Sequence, residues 1–456
     1  MYTTLGVLQS PLDSMHLSLL PLSLSLSLSL SLTTAASLLS ILDDVQTPEG
    51  PSLAAILNGT AATVNSIQSV QNVIQGAAAN VQQPHTPDEL LEYVSHLADG
   101  GVLTLDVVSL LDGLEHSQIN QPSSNPPPPV PLYPSQPGDA PYSVPEESLR
   151  ASLYIPETFQ YGDNGTFPVL LVPGTGGPTG TTYHYSFAQL AEAVPHADVA
   201  WLNIPNLTLE DAQVNAEYVA YAIHYLSAIC ASEDQPAANL AVISWSQGGL
   251  DVQWALKYWP STRSLVSDFI PISPDFRGTV VRNAICPALN PLLCDPSVWQ
   301  QGWDSRFVQA LAADGGNSAY VPTTSVYSAT DQIVQPQSGP NASAILMDER
   351  HVGVTTALVQ EVCPGQPAGS VYTHEGVLYS PVAWALAVDA LTHDGPADLS
   401  RVDWNVVCAR FAAPQLQLHD VLGCEAALVI ALGHFITHPH KVVREPELKP
   451  YALPSR

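Results

Sequence analysis

The sequence predicts an α/β fold with a mostly parallel central sheet, preceded by a small helical region. From about residue 140, short apolar runs typical of buried strands alternate with longer stretches of helical periodicity. That alternation favours a parallel sheet covered by helices on both faces. In addition, the apolar run 240–243 leads through a sharp turn, with Ser246 at its apex, into a helical pattern that ends at Pro260.

Five apolar runs are predicted as buried strands. They are Phe167–Val172, Asp198–Leu202, Asn239–Ile243, Asp268–Ile272 and Thr324–Ser328. Helical patterns cover 209–230 and 250–259 between them. Ligands of such sheets bind outside the carboxyl ends of the strands, so a functional site is expected there.

The composition limits the classes of function. The chain has 456 residues, with 13 Lys and Arg against 42 Asp and Glu, which gives a formal net charge of −29. Nucleic acid is therefore not expected as a partner, and an anionic membrane surface would repel the protein. Six cysteines without C-x-x-C spacing favour disulfides in an oxidising compartment over a zinc site. Neither a metal nor another cofactor is expected.

The amino terminus indicates export. A Leu-Ser alternation over 15–32, followed by small residues at 33–37, fits a signal peptide assigned to residues 1–36, with Met15 as an alternative start. An amphipathic strand is the other interpretation of the alternation. No apolar run of transmembrane length is identified later, so a soluble, secreted and monomeric protein is expected.

Residues 37–120 are predicted to form a small helical region. Thr86-Pro-Asp-Glu89 is a helix start with a capping box, and Leu105–Leu114 is a second amphipathic run. No catalytic constellation occurs here, which favours a pro-segment or packing appendage, with a surface-binding module as the alternative. The Pro-rich residues 121–139 are interpreted as a linker, or as a strap along the domain 140–456.

The turn at Ser246 has the features of a nucleophile elbow. Gly248 supplies the small neighbour that the tight turn needs, while Ser244 stands where the usual G-x-S-x-G pattern has its first glycine. An ordinary strand-to-helix turn with an incidental serine is the alternative. An elbow serine requires a histidine base, a carboxylate that orients the histidine, and backbone N–H groups that bind an oxyanion.

A glycine-rich loop at 172–177 is the candidate oxyanion loop. It follows a predicted strand directly, and its Thr175 offers an N–H and a hydroxyl. The second donor would be the N–H of Gln247, the residue after the elbow serine. A phosphate-binding loop is the alternative, but no Gly-Lys-Ser/Thr follows, which excludes a P-loop.

The acid and the base are sought after the elbow, because the chain order in such folds is Ser, then Asp or Glu, then His. Asp275 and Asp331 both follow strand-like runs. Asp331 is favoured as the acid because it lies one strand further along, and Asp275 is given a binding role. His351, His374 and His393 are the candidate bases, and the loop position of His374 favours it.

Several ordered blocks of the chain resemble fungal lipases similar to Candida antarctica lipase B. The blocks are 172–176, 211–218, 242–254, 273–279, 296–301, 327–337 and 445–451. The resemblance implies an α/β-hydrolase fold over about residues 140–456 and a serine lipase that cleaves esters such as triacylglycerols, including at a lipid–water interface. A short-chain carboxylesterase or cutinase-like polyester hydrolase is the alternative, followed by a catalytically silent binding protein.

The resemblance also implies roles for single residues. Ser246 would be the nucleophile, Asp331 the orienting acid and His374 the base. Thr175 and Gln247 would be the oxyanion donors. The residues implied to contact substrate are Trp245, Asp275, Gln301 and Ile333.

The cysteines divide into three groups. The resemblance implies a disulfide between Cys363 and Cys408. Cys286 and Cys294 lie outside the family pattern and close together, and they are predicted to form a bridge across a short loop near the site. Cys230 and Cys424 are left to pair or to stay free. Sequons beginning at Asn58, Asn164, Asn206 and Asn341 predict a glycoprotein.

Overall fold

The computed structural model describes residues 52–58, 64–81, 86–232, 237–283, 286 and 293–453. The predicted signal peptide, 1–36, and the first part of the predicted helical region lie outside the described residues. The same holds for 284–285, which precede Cys286, and for 287–292, which lie in the loop closed by Cys286 and Cys294.

A seven-stranded, mostly parallel sheet forms the centre of the fold, as predicted. Its strands are β1 (Leu153–Tyr154), β2 (Phe167–Val172), β3 (Ala197–Leu202), β4 (Leu240–Trp245), β5 (Val266–Ile272), β6 (Thr323–Tyr327) and β7 (Val354–Leu358). The spatial order is β1-β3-β2-β4-β5-β6-β7, and β1 pairs antiparallel with β3 while the other pairs are parallel. The five predicted strands correspond to β2 to β6.

Helices and side chains cover both faces of the sheet. Val169 and Leu171 on β2 belong to one buried apolar cluster, whereas Leu170 and Val172 belong to another. This alternation is what a strand buried on both faces requires, because successive side chains point to opposite sides.

The α-helices of the described residues are numbered in chain order. They are α1 (Leu53–Leu57), α2 (Ile67–Asn80), α3 (Pro87–Asp99), α4 (Leu105–Glu115), α5 (Glu146–Ala151), α6 (Thr179–His184), α7 (Ala212–Ile229), α8 (Gln247–Tyr258), α9 (Pro296–Gln300), α10 (Arg306–Ala312), α11 (Val359–Val362), α12 (Pro381–Thr392), α13 (Trp404–Val407) and α14 (Leu418–Thr437). The predicted capping box is present at the start of α3, where the Thr86 side chain accepts from the Glu89 N–H. Helix α8 begins three residues earlier than predicted, directly after Ser246.

The N-terminal helices share a core with the rest of the protein. Leu97 on α3 and Leu111 on α4 are almost fully buried, in the same cluster as Val421 and Val429 on α14. Each apolar side chain of this size contributes about 1.5–3 kcal/mol when it is buried. The described part of the predicted helical region is therefore packed into the same core as the C-terminal helix.

The Pro-rich segment runs along the sheet domain as a strap. Its Asn125 side chain donates to the Arg150 and Leu153 carbonyls at 2.8 and 2.6 Å. The Tyr225 hydroxyl on α7 donates to the Pro126 carbonyl at 2.7 Å. Extended backbone of this kind leaves its carbonyls free to accept bonds from the neighbouring domain.

Two disulfides are present, Cys286–Cys294 and Cys363–Cys408, and these are the predicted pairs. Cys230 and Cys424, whose state was left open, are both buried and unbonded to each other. The Cys363–Cys408 bond closes a loop that contains His374.

One described helix, α14, is long and apolar enough to cross a membrane by length and composition alone. This differs from the expectation that no such run follows the amino terminus. More than half of its strongest window is buried inside the protein, and buried core helices pass the same test. Helix α14 packs against α2, α4 and α6.

Candidate active site

The turn between β4 and α8 holds Ser246 in a strained conformation. Its φ and ψ angles are 55° and −129°, a region that residues other than glycine rarely occupy. Gly248 is required beside it, because an added Cβ would lie 2.6 Å from the Pro173 carbonyl oxygen. The strand, turn and helix thus have the geometry predicted for a nucleophile elbow.

Asp331, which follows β6, and His374, which comes after β7, form a buried pair. The His374 Nδ1 atom lies 2.7 Å from Asp331 Oδ2. The other carboxylate oxygen, Oδ1, accepts the N–H groups of Ile333 and Val334 at 2.8 and 2.7 Å. These bonds fix the carboxylate and, through it, the orientation of the imidazole ring.

The backbone of His374 is also held in place. Its N–H donates to Gln332 Oε1 at 2.7 Å, and its carbonyl accepts the Trp245 indole N–H at 3.1 Å. The Nε2 atom is buried and makes no hydrogen bond with any of the described residues. The other two candidate bases lie elsewhere: His351 is exposed, and His393 lies 3.4 Å from Asp389.

Three polar side chains form a network at the predicted oxyanion site. The Thr175 hydroxyl lies 2.6 Å from Gln247 Oε1 and 3.1 Å from Gln301 Oε1. Gln301 Nε2 donates to Gln247 Oε1 at 2.9 Å. Gln247 is the first residue of α8, so its N–H has no intrahelical acceptor and is available to a substrate oxygen.

A left-handed segment supports the oxyanion loop from behind. Asn206, Leu207 and Thr208 all have positive φ angles. The Leu207 carbonyl accepts the Gly176 N–H at 2.9 Å, and the Thr208 hydroxyl donates to the Gly174 carbonyl at 2.8 Å. The strained backbone is thus compensated by bonds that fix the loop.

Ser246 and His374 line the same cavity. Its lining residues are Leu90, Thr175, Trp245, Ser246, Thr279, Arg282, Val298, Gln301, Ile333, His374, Glu375, Leu428, Ala431, Leu432 and Phe435. Three of the four residues implied to contact substrate are among them. Most of the lining is apolar, which suits an acyl chain better than a charged ligand.

Asp275, the fourth of these residues, is not part of the lining. It is fully buried, and neither carboxyl oxygen has a hydrogen-bond partner among the described residues. Burial, with a smaller effect of the Asp331 charge, raises the pKa of Asp275 to about 8. A neutral carboxyl is therefore the form expected at neutral pH.

Five residues that line the cavity were not predicted from the sequence as site residues, and they come from an early helix and from the last long helix. Leu90 comes from α3, in a region where no catalytic constellation was found, and Leu428, Ala431, Leu432 and Phe435 come from α14 or its immediate end. Leu90 directly follows the predicted helix start Thr86-Pro-Asp-Glu89 and lies on an apolar helix face. No local signal shows which neighbour such a face covers.

Glu375 and Glu425 form a buried pair of glutamates, and Glu375 is the neighbour of His374 in the chain. Glu425 on α14 accepts the Thr373 and Tyr379 hydroxyls, both at 2.8 Å. Burial raises its pKa to about 7. Burial, followed by the charge of Glu425, also raises the pKa of Glu375, the residue next to His374.

A parallel sheet with a serine on the strand–helix turn and a buried Asp–His pair in chain order define the α/β-hydrolase class. No protein-family model matches the sequence. The chain is 34% identical over 292 residues to lipase B of Pseudozyma antarctica, across 63% of this chain and 79% of that protein. The crystal structure of Aspergillus fumigatus lipase B has a TM-score of 0.83 and 49% identity, covering 91% of this chain and 100% of that chain. The chain belongs to the lipase B family of fungal lipases, which confirms the predicted resemblance.

Proposed function

We propose that this chain is a secreted serine lipase that hydrolyses carboxylic esters, such as triacylglycerols, through an acyl-enzyme on Ser246. Family membership supports ester hydrolysis of the lipase type. The observation that carries the serine mechanism is the 2.7 Å contact between His374 and Asp331, because His374 lines the same cavity as Ser246.

In the proposed mechanism, His374 Nε2 takes the proton of the Ser246 hydroxyl as the serine oxygen attacks the ester carbonyl. Asp331, bonded to Nδ1, holds the ring in the required tautomer and stabilises the imidazolium. The N–H groups of Thr175 and Gln247 stabilise the oxyanion. His374 then gives the proton to the leaving alcohol, and water releases the acid by the same steps in reverse.

The apolar lining supports a lipid substrate. The side chains of Leu90, Leu428, Leu432 and Phe435 give apolar surface to the cavity that Ser246 lines. A long acyl chain gains about 0.8 kcal/mol for each methylene group buried there. A short-chain esterase would leave much of this surface uncovered, so the lipase is favoured over that alternative.

Export and glycosylation are part of the same proposal. The two disulfides fit an oxidising compartment. The four sequon asparagines, Asn58, Asn164, Asn206 and Asn341, are all exposed and therefore open to a glycosyltransferase.

Replacing the nucleophile tests the mechanism. Ser246→Ala should lower kcat on p-nitrophenyl esters by on the order of 10⁶-fold and abolish labelling by a fluorophosphonate, which reacts with activated serines. Ser244→Ala is the matched control, since this serine is buried two residues away and its hydroxyl has no partner among the described residues. Substantial turnover by Ser246→Ala, or unlabelled wild-type protein, would contradict the serine mechanism.

A further inference from the structure

A cluster of histidine and carboxylate side chains lies outside the active-site cavity. His438 Nε2 lies 3.3 Å from Glu210 Oε1, and His440 Nδ1 lies 2.6 Å from the same oxygen. The three ligand atoms lie within 4.8 Å of one another. Two imidazoles and one carboxylate are a common donor set for zinc and related divalent metals.

His438, the buried histidine of the cluster, is oriented so that its Nε2 atom could bind a cation. His438 is 9% exposed, and its Nδ1 atom lies 2.5 Å from Asp295 Oδ1. Its Nε2 atom is buried, aimed at Glu210, and makes no hydrogen bond with the described residues. When Nδ1 carries the proton, the Nε2 lone pair faces a carboxylate, and this unfavourable contact becomes favourable once a cation lies between the two groups.

The partners around the cluster resemble the outer shell of a metal site. Metal-bound histidines donate their second N–H to a carboxylate, which is the position Asp295 occupies. Lys441 Nζ lies 2.8 Å from Asp295 Oδ2 and balances the charge of that carboxylate. Asp295 can therefore orient His438 without itself being left as an unpaired buried charge.

The distances fit a small four-coordinate ion. Ligand atoms bound to zinc at about 2.0–2.1 Å in a tetrahedron lie about 3.3 Å apart. The Nε2–Oε1 separation is already 3.3 Å, whereas the contact of His440 with Glu210 would have to lengthen from 2.6 Å. His440 is 65% exposed at its side chain, so it can move and leave the fourth position to water.

We propose that Glu210, His438 and His440 bind one divalent transition-metal ion of the zinc class, with Asp295 as the outer partner of His438. The ion would join two segments directly, the loop before α7 and the residues that follow α14, and the His438–Asp295 contact would connect them to the residue that precedes α9. The expectation of no metal rested on cysteine spacing, and this donor set contains no cysteine.

Calorimetric titration of tag-free, chelator-treated protein with Zn²⁺ tests the proposal. The wild type should bind one Zn²⁺ per chain, more weakly as the pH falls because the ligands must lose protons. His440→Gln and Glu210→Gln should each weaken binding at least tenfold. His419→Gln is the matched control, since that side chain is also 65% exposed and lies outside the cluster.

Thermal melts with and without Zn²⁺ show whether a variant that binds weakly is still folded. Zn²⁺ should raise the thermal midpoint of the wild type and of His419→Gln, and the rise should shrink or vanish in His440→Gln. Because His440 is exposed, its replacement should leave the metal-free midpoint near that of the wild type. Absence of one-to-one binding, or an equal loss in His419→Gln, would overturn the proposal.

Discussion

Replacing Glu425 by glutamine is expected to change how stability depends on pH. Burial raises the pKa of this carboxyl from 4.5 to about 7, so the folded protein holds the proton more tightly than the unfolded chain. The stabilisation is complete below pH 4.5 and is lost as the pH rises through about 7. At about 1.36 kcal/mol per pKa unit, the change from 4.5 to about 7 corresponds to about 3 kcal/mol.

The Glu425→Gln variant removes the titrating carboxyl group and replaces it with an amide of nearly the same shape. Its amide oxygen can still accept the Thr373 and Tyr379 hydroxyls that Glu425 Oε1 accepts at 2.8 Å. The free energy of unfolding of Glu425→Gln should therefore fall less between pH 4.5 and 8.5 than that of the wild type, by up to about 3 kcal/mol.

Urea unfolding at several pH values in this range measures the difference. Glu192→Gln serves as the control because Glu192 is exposed. Parallel pH profiles for Glu425→Gln and the wild type would refute the reasoning. So would a variant that loses stability as the pH rises while the wild type gains it.

The other predictions concern catalysis, the disulfide and the elbow. Asp331→Asn should reduce kcat on soluble esters by about 10⁴-fold with little change in the thermal midpoint, because the wrong histidine tautomer is held in place; unchanged steady-state kinetics would contradict this. Cys363→Ser with Cys408→Ser should lower the free energy of unfolding in urea by about 4 kcal/mol, the chain-entropy value for a loop of this length, and an unaffected midpoint would count against it. Gly248→Ala should be destabilised by more than about 2 kcal/mol in thermal melts, since its Cβ would meet backbone oxygen; Gly113→Ala, with nothing within 4 Å of the new Cβ, should not.

Local patterns were enough to predict much of the fold and to select candidate site residues that the structure brings close together. The strands β2 and β4 consist mostly of apolar residues, and the elbow combines the β4 run with a turn and a helix, so these elements can be recognised without knowledge of the rest of the chain. The edge strand β7 was not among the predicted strands, because its first three residues are only partly buried and Val354–Leu358 therefore lacks the pattern of a fully buried strand. Strand β1 was missed because it is two residues long.

Features that depend on distant contacts could not be predicted. The sequence places Asp275 after a strand, but it does not show that the carboxyl is sealed from the cavity. Glu375 and Glu425 are buried beside each other although they are far apart in the chain. In the same way, Glu210 approaches His440 only in the folded protein, and no spacing rule joins them.

The packing of α14 against α4 has a consequence for biosynthesis. The early helices leave the ribosome long before α14 has been translated. The apolar faces around Leu97 and Leu111 are therefore not yet covered by α14 at that stage. Nascent chains with exposed apolar surface depend on chaperones and are prone to aggregate. The cavity beside Ser246 is also incomplete until α14 arrives, so hydrolysis can begin only after nearly the whole chain has been made. A premature stop codon before Leu418 would thus yield an inactive product that is prone to aggregate.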